Sequence, residues 1–376
     1  MKIRYVELKN FRNYKKLIID NLSRVNVFIG KNGIGKTSII EAIYLGSVTK
    51  SFRSNYDKNV INSESNSSKI KIKIEDESRK RKTLEISLDE NGKKTKINTK
   101  TISKLSEYLS QYRVILFSPD ELKIIKESPN VRRNYLNIEI SQINKEYIKY
   151  LNDYNTLIKN KNEFLKKLYL NSNLDTRYLD TLDEKISELG FKICKIREEY
   201  FNQINEFIGL NFMIFKPNDN LKIEYISDFI CKTEEEILNV LKKQRKRDIL
   251  NGLSTIGIHR DDFLFKYNNQ DAKNYASQGI QKLIILSLKL SELDIFIEKY
   301  GIYPILLLDD IFSELDKVNR KKIVTNLKDN IQIFITTTEF GSYIKKEIEN
   351  INVINIEKMV KWWQMKMNMV LRAYKS

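Results

Sequence analysis

The stretch FIGKNGIGKTSIIEA, Phe28 to Ala42, constrains this chain more than any other. Gly30 and Gly35, followed by Lys36 and Thr37, fit the spacing G-x-x-x-x-G-K-[ST], in which a backbone without obstructing side chains wraps nucleotide phosphates. Val25, Val27, Phe28 and Ile29 make an apolar run suited to a buried strand, and Ile39, Ile40, Ile43 and Tyr44 recur at helical spacing. Strand, glycine loop and helix thus come in the order a phosphate site needs. Gly30, Lys31, Asn32, Gly33, Ile34, Gly35, Lys36, Thr37 and Ser38 are the candidate nucleotide-binding residues. The N–H groups from Asn32 to Lys36 and the helix N-terminus would face the β-phosphate, and Lys36 would reach the β- and γ-oxygens. Thr37 would offer its hydroxyl to Mg2+.

Such a loop needs an acidic partner. YPILLLDD, Tyr303 to Asp310, is an apolar run ending in two carboxylates, and an α/β sheet places its chemistry at the C-terminal ends of its strands. Asp309 would hold Mg2+, directly or through water, and Asp310 would orient or deprotonate the attacking water. Lys36 and Asp310 are the candidate catalytic residues, and Thr37 and Asp309 the candidate metal ligands. The two halves of the ATPase core stand far apart in sequence, with everything between them inserted.

That insertion has two textures. Lys69 to Lys100 alternates apolar and polar positions, with Asn91-Gly92 as a turn signal, and predicts an antiparallel sheet. From about Asn134 to Phe207 the period is helical: Ile143, Tyr147, Tyr150, Tyr154 and Leu157 form one stripe, and Leu179, Leu182, Ile186, Leu189, Ile193, Ile196 and Tyr200 another. Asn171 to Asp175 would join them as a hairpin, each helix being roughly 30 residues or about 45 Å long.

Ser277-Gln278-Gly279 precedes another long amphipathic pattern. A helix N-terminus of this kind is a second phosphate-binding surface, or an ordinary cap. Two half-sites on one chain can complete each other when two copies pair head to tail under twofold symmetry. ATP would then glue the dimer and hydrolysis release it.

Composition limits the partners and the setting. A net charge of +17, from 66 Lys+Arg against 49 Asp+Glu, suits a polyanion such as nucleic acid, although an abundance of Lys, Asn and Ile also follows from AT-rich codons. Cys194 and Cys231 make neither a disulfide framework nor a zinc site. No apolar run approaches a membrane span, and MKIRYVELKNF lacks a secretory apolar core, so a cytoplasmic location is expected.

With these motifs assembled, the chain resembles the RecF family of ABC/SMC-like ATPases along almost its whole length. The resemblance rests on LKNFRNY (Leu8 to Tyr14), GKNGIGKTS (Gly30 to Ser38), SFR (Ser51 to Arg53), LFSPDELKIIKESPNVRRNYL (Leu116 to Leu136), GIHRDDF (Gly257 to Phe263), SQGIQK (Ser277 to Lys282) and LLLDDIFSELD (Leu306 to Asp316). It implies an α/β fold: an ABC/SMC-like P-loop ATPase head with an antiparallel β subdomain and an inserted compact helical domain. The expected segments are 1–118 (first half of the head and β subdomain), 119–250 (helical arm) and 251–376 (second half of the head).

The resemblance further implies ATP and Mg2+ as cofactors, weak DNA-stimulated ATPase activity and an ATP-dependent homodimer. It implies binding to single-stranded, gapped and junction DNA near the nucleoid, and work with RecR and RecO to load RecA in recombinational repair, replication restart and SOS induction. Arg12 and Asn13 would lie near the nucleotide, Ser277 and Gln278 would contact the γ-phosphate of the partner subunit with Gly279 beside them, and Asp316 would sit in a dimer-facing loop. His259 could shape the site or be structural. Two departures, Ile258 where the family usually has Pro and Glu127 where it usually has Gly, touch no phosphate residue. The final stretch, MVKWWQMKMNMVLRAYKS, does not match the family ending.

DNA-binding candidates are the basic clusters Arg79, Lys80, Arg81 and Lys82; NGKKTK (Asn91 to Lys96); Arg132 and Arg133; and Lys242, Lys243, Arg245, Lys246 and Arg247. Each is equally readable as a solvated face. No stacking motif accompanies them, so backbone recognition without base reading is expected. Rival readings fit less well. A transporter nucleotide subunit would carry Ser-Gly-Gly-Gln close before the acidic strand and a histidine after it, where this chain has only FITTTE (Phe334 to Glu339). Too little chain follows Asp316 for a nuclease domain of usual size, and the long coiled coils of a structural SMC-like protein are absent. An architectural SMC-like DNA-binding ATPase remains as the alternative.

Overall fold

The computed structural model describes residues 1–359 except 55, 77, 104, 110, 172–173, 311–315, 317, 320–321, 323–329 and 339–350. The chain divides into two compact units, Met1–Glu121 with Glu292–Ser376, and Leu122–Ser291.

The first unit contains two sheets. One is antiparallel, with strand order β2-β1-β4-β5-β6-β7: β1 (Lys2–Phe11), β2 (Tyr14–Ile19), β4 (Ser68–Glu75), β5 (Arg81–Asp89), β6 (Gly92–Ile97) and β7 (Lys100–Ile102). Its alternation is that of a half-buried sheet: Ile70, Ile72 and Ile74 face inward while Lys69, Lys71 and Lys73 face out. The β5–β6 turn closes with Asp89 opposite Gly92, whose φ of 109° only glycine adopts without strain.

The other sheet is parallel, with order β14-β3-β13-β12-β8: β3 (Val25–Ile29), β8 (Val114–Phe117), β12 (Ile305–Asp309), β13 (Ile333–Thr337) and β14 (Ile351–Asn355). Its central strands are nearly continuous apolar runs because both faces are covered. Helix α1 (Lys36–Val48) touches strands of both sheets and is buried along nearly its whole length. Gly46 permits the approach: a Cβ there would stand 2.4 Å from Ile72 Cδ1 and 2.6 Å from the Tyr112 hydroxyl. Gln332, buried before β13, ties the sheets together by bonding both the N–H and the C=O of Ile3. A short helix, α2 (Leu105–Leu109), completes the part before Glu121.

The second unit is mostly helical: α3 (Lys123–Lys126), α4 (Pro129–Ile143), α5 (Lys145–Leu170), α6 (Arg177–Met213), α7 (Glu234–Asn251), α8 (Ala272–Tyr275) and most of α9 (Gln278–Asp294). Pro129 sits at the first turn of α4, where its missing N–H costs nothing, and Asn144 caps α5 by accepting from the N–H groups of Glu146 and Tyr147. Along α6 the expected stripe is buried at Leu179, Leu182, Ile186, Ile193 and Tyr200, with Leu189 and Ile196 half-buried at its margin. A three-stranded sheet of order β11-β10-β9 completes the unit: β9 (Leu221–Ile226), β10 (Asp262–Tyr267) and β11 (Gln270–Asp271). Residues 252–291 group with the helical segment because β10 pairs along β9, and because Asp262 accepts two hydrogen bonds from Arg132 on α4.

Candidate nucleotide site

β3 ends at Ile29 and the glycine loop turns directly into α1. Gly33 and Gly35 have φ of 80° and 108°, in the left-handed region that glycine tolerates. At Gly35 a Cβ would stand 2.5 Å from the Tyr14 hydroxyl and 2.6 Å from Asn13 Nδ2. Those two side chains hold the loop from the β1–β2 turn: Asn13 Nδ2 donates to Ile34 O at 3.0 Å and the Tyr14 hydroxyl to the same oxygen at 3.3 Å.

Arg12, in the same turn, donates to both carboxylate oxygens of Glu41 on α1, at 2.9 and 2.5 Å. Glu41 is fully buried and also accepts from the Ser51 hydroxyl at 2.5 Å and from Arg53 at 3.4 Å. The sequence reading brought Arg12 and Asn13 to the loop but missed Glu41, which organises the arginines. Its position one helical turn beyond Thr37, as a lone acid in an apolar stretch, was the available signal.

Lys36 Nζ donates to the carbonyls of Gly30 and Lys31 at 2.7 and 3.1 Å. Burial lowers its pKa, and the carboxylates of Asp310, Asp309 and Glu357 pull the other way. Asp309 ends β12, which pairs through β13 to β3, so the topology delivers it to the loop. Its Oδ1 accepts from the Thr37 hydroxyl at 3.0 Å and from the Thr336 hydroxyl at 2.7 Å. Burial pushes the Asp309 carboxyl above its ordinary range, against the pull of those two hydrogen bonds.

Thr336 lies opposite Asp309 in the parallel register, and its hydroxyl also accepts from the Asp310 N–H at 2.9 Å. It was missed because a threonine in FITTTE reads as an ordinary β-branched strand residue. A cavity of about 550 Å3 opens among Asn32, Lys36, Thr37, Asn13, Arg53 and Asp310, within the size range of small-ligand sites.

The donor set fits a magnesium nucleotide. Backbone N–H groups, the Lys36 ammonium and arginines suit phosphates, while a hydroxyl and a carboxylate at 3.0 Å are the oxygens that such ATPases give to Mg2+.

Ser277, Gln278 and Gly279 belong to the second unit, where they are exposed at the start of α9 and the Ser277 hydroxyl accepts from the Ile280 N–H at 3.4 Å. Asp316 is exposed and accepts from the N–H and side chain of Asn319. Residues 311–315 and 360–376, which include most of FSELD and nearly all of the unmatched final stretch, lie outside the described residues.

Two DNA-binding candidates are corrected. Arg132 is 4% exposed and directs two N–H groups to Asp262 at 2.6 and 2.9 Å, which removes it from the surface. Arg245 is half-buried and paired with Asp180 and Asp183, each at 2.8 Å. Arg133 donates to the Asp261 carbonyl. Arg79, Lys80, Arg81, Lys82, Lys242, Lys243, Lys246 and Arg247 are exposed. His259 is taken up locally, Nε2 3.2 Å from the Ser254 carbonyl and Nδ1 3.4 Å from the Tyr154 hydroxyl.

The family model described as RecF/RecN/SMC N terminal domain matches residues 2–361. The DNA replication and repair protein RecF of Clostridium botulinum strain Okra is 39% identical over 368 residues, covering 96% of this chain and 99% of that protein. Its counterpart in Clostridium perfringens strain 13 is 38% identical over 362 residues, covering 94% and 99%. The chain belongs to the RecF family. A solved RecF structure, described as the recombination mediator protein with ATP in the RecFOR pathway, is 33% identical with a TM-score of 0.85, covering 90% of this chain and 92% of that one. The Smc head domain from Pyrococcus furiosus, 17% identical with a TM-score of 0.53 and covering 97% and 99%, shares the fold. The RecF-family chain therefore has the ABC/SMC-like ATPase fold. Among its described residues no helix is long and apolar enough to cross a membrane.

Proposed function

We propose that this chain is an ATP-dependent DNA-binding ATPase of recombinational repair. In this reading it dimerises on ATP, binds single-stranded, gapped and junction DNA at the nucleoid, and helps load RecA together with RecR and RecO during repair, replication restart and SOS induction. The observation that carries it is the Thr37–Asp309 pair at 3.0 Å beside the Lys36 loop, on a chain whose relatives are named DNA replication and repair proteins. Nothing in those relatives favours the architectural or transporter alternatives.

The loop N–H groups and Lys36 hold the phosphates. Thr37 and Asp309 are the residues for Mg2+, which neutralises charge on the transferring phosphoryl group. Asp310, fixed through its N–H to Thr336, orients the attacking water and takes its proton. Ser277 and Gln278, exposed at the head of α9, meet the γ-phosphate of the second copy, with Gly279 keeping the approach open and Asp316 facing the same partner. In this reading residues 1–118 and the later part of 251–376 supply the head and 119–250 the arm; the parallel sheet, built from strands of both end segments, supports the head, while residues 252–291 group with the arm. On the same reading hydrolysis is weak and stimulated by DNA, and because DNA and ATP each stabilise the same dimer, each raises the other's affinity.

Asp310→Asn tests this directly. It retains nucleotide binding and accumulates as an ATP-bound dimer in light scattering; a variant that stays monomeric with Mg-ATP overturns the dimer switch.

A further inference from the structure

The solvent face of the antiparallel sheet carries two neighbouring rows of side chains that treat charge differently. Directly opposite residues on adjacent antiparallel strands share a face, with Cβ atoms about 4.5–5.5 Å apart. One row runs Glu7, Lys71, Glu85, Lys96 across β1, β4, β5 and β6, alternating in sign, with Lys71 Nζ 3.4 Å from Glu85. The next row runs Lys16, Lys9, Lys69, Ser87, Lys94 across β2, β1, β4, β5 and β6 and contains no acid. Between the two, on the opposite face, Leu17, Leu8, Ile70 and Ile86 are buried, which fixes both rows outward.

Like charges set opposite one another repel across a sheet, and this row sets Lys16, Lys9 and Lys69 side by side. The alternating row shows that the same strands carry compensating acids elsewhere. Lys69 reaches diagonally to Glu85 at 2.7 Å, and Lys94 approaches Asp89 only at 3.9 Å. Lys9, Lys16 and Lys94 are exposed. Four interstrand steps at about 4.8 Å span about 19 Å, the length of between five and six base steps at about 3.4 Å each.

We infer that this row, Lys16, Lys9, Lys69 and Lys94, is a track for the phosphate backbone of nucleic acid. The inference rests on the DNA-binding reading above and joins Lys94, from the NGKKTK cluster, to Lys16, Lys9 and Lys69, which lie in none of the basic clusters read from sequence. Recognition there is of backbone charge, since no stacking side chain stands in the row.

The test is a salt series of binding to a gapped duplex with Mg-ATP, comparing the wild type, Lys9→Gln/Lys16→Gln/Lys94→Gln and the matching triple Arg variant. The Gln variant should flatten the slope of log K against log salt by roughly one per lysine removed. It should keep nucleotide binding and melt no lower than the wild type, because like-charge repulsion is relieved; the Arg variant should restore the slope. Unchanged DNA binding in a wild type that does bind overturns the track alone. A lower melting temperature alongside the loss of binding makes the row a stability element and also overturns it. A wild type with no salt-sensitive DNA binding overturns the underlying reading.

Discussion

His259 carries a pH dependence that its surroundings dictate. Burial holds its pKa down at about 4, against an ordinary value near 6.5, with the Ser254 carbonyl opposing and Arg260, Lys161 and Arg133 adding to the depression. The unfolded chain therefore takes up a proton between those values that the native state refuses. Stability present above pH 6.5 is lost as pH falls toward 4, by at most about 3 kcal/mol from this one group. Urea unfolding at pH 7 and pH 4.5 should show a smaller acid loss in His259→Gln than in the wild type; equal losses would place the acid sensitivity elsewhere. That Lys36, Thr37, Asp309 and Asp310 gather around one loop was legible because each belongs to a local motif. Glu41 and Thr336 were not, because their roles exist only once α1 lies beside the β1–β2 turn and β13 lies beside β12.

At the scale of elements, the three long helices α5, α6 and α7 are joined by buried charge. Lys161 on α5 lies 3.0 Å from Asp183 on α6 and 3.3 Å from Asp248 on α7, all three fully buried, and Arg245 on α7 adds its two contacts to α6. Removing Lys161 takes away the cation that Asp183 and Asp248 share, leaving Asp183 with Arg245 and Asp248 with only the Thr255 N–H and hydroxyl. Lys161→Met should therefore cost about 3–5 kcal/mol in urea unfolding; a loss under 1 kcal/mol would mean that the carboxylates find other partners. Arg245 reversal would strain the same junction, which makes Lys243 and Arg247 the better positions on α7 for probing DNA. Helical period made α5 and α6 visible, with the break near Asn171, but not the break at Asn144 between α4 and α5, nor α7, which read only as a basic cluster. It could not show Lys161, Arg132 or Arg245 as interior, since a lone charge in sequence reads as solvent-facing until its carboxylate on another helix is known. The lysine row was hidden for the same reason: strand register, which no single strand contains, aligns Lys16, Lys9 and Lys69.

The whole molecule is a head whose phosphate loop and acidic strand come from distant parts of the chain, together with a unit that exposes Ser277-Gln278-Gly279 at the start of α9. On the proposed reading, a second copy would give both features one purpose. ATP held by Lys36 and Thr37 in one subunit would be completed by Ser277 of the other, and the closed pair would present two lysine tracks to DNA. The decisive measurement is the molar mass in solution, with and without Mg-ATP, of the wild type beside Ser277→Arg. The expected result is that the wild type doubles in mass with Mg-ATP while Ser277→Arg binds ATP equally well and remains a monomer. If both double, or neither does while ATP is bound, the nucleotide does not join two copies through that helix terminus, and the dimer switch is wrong.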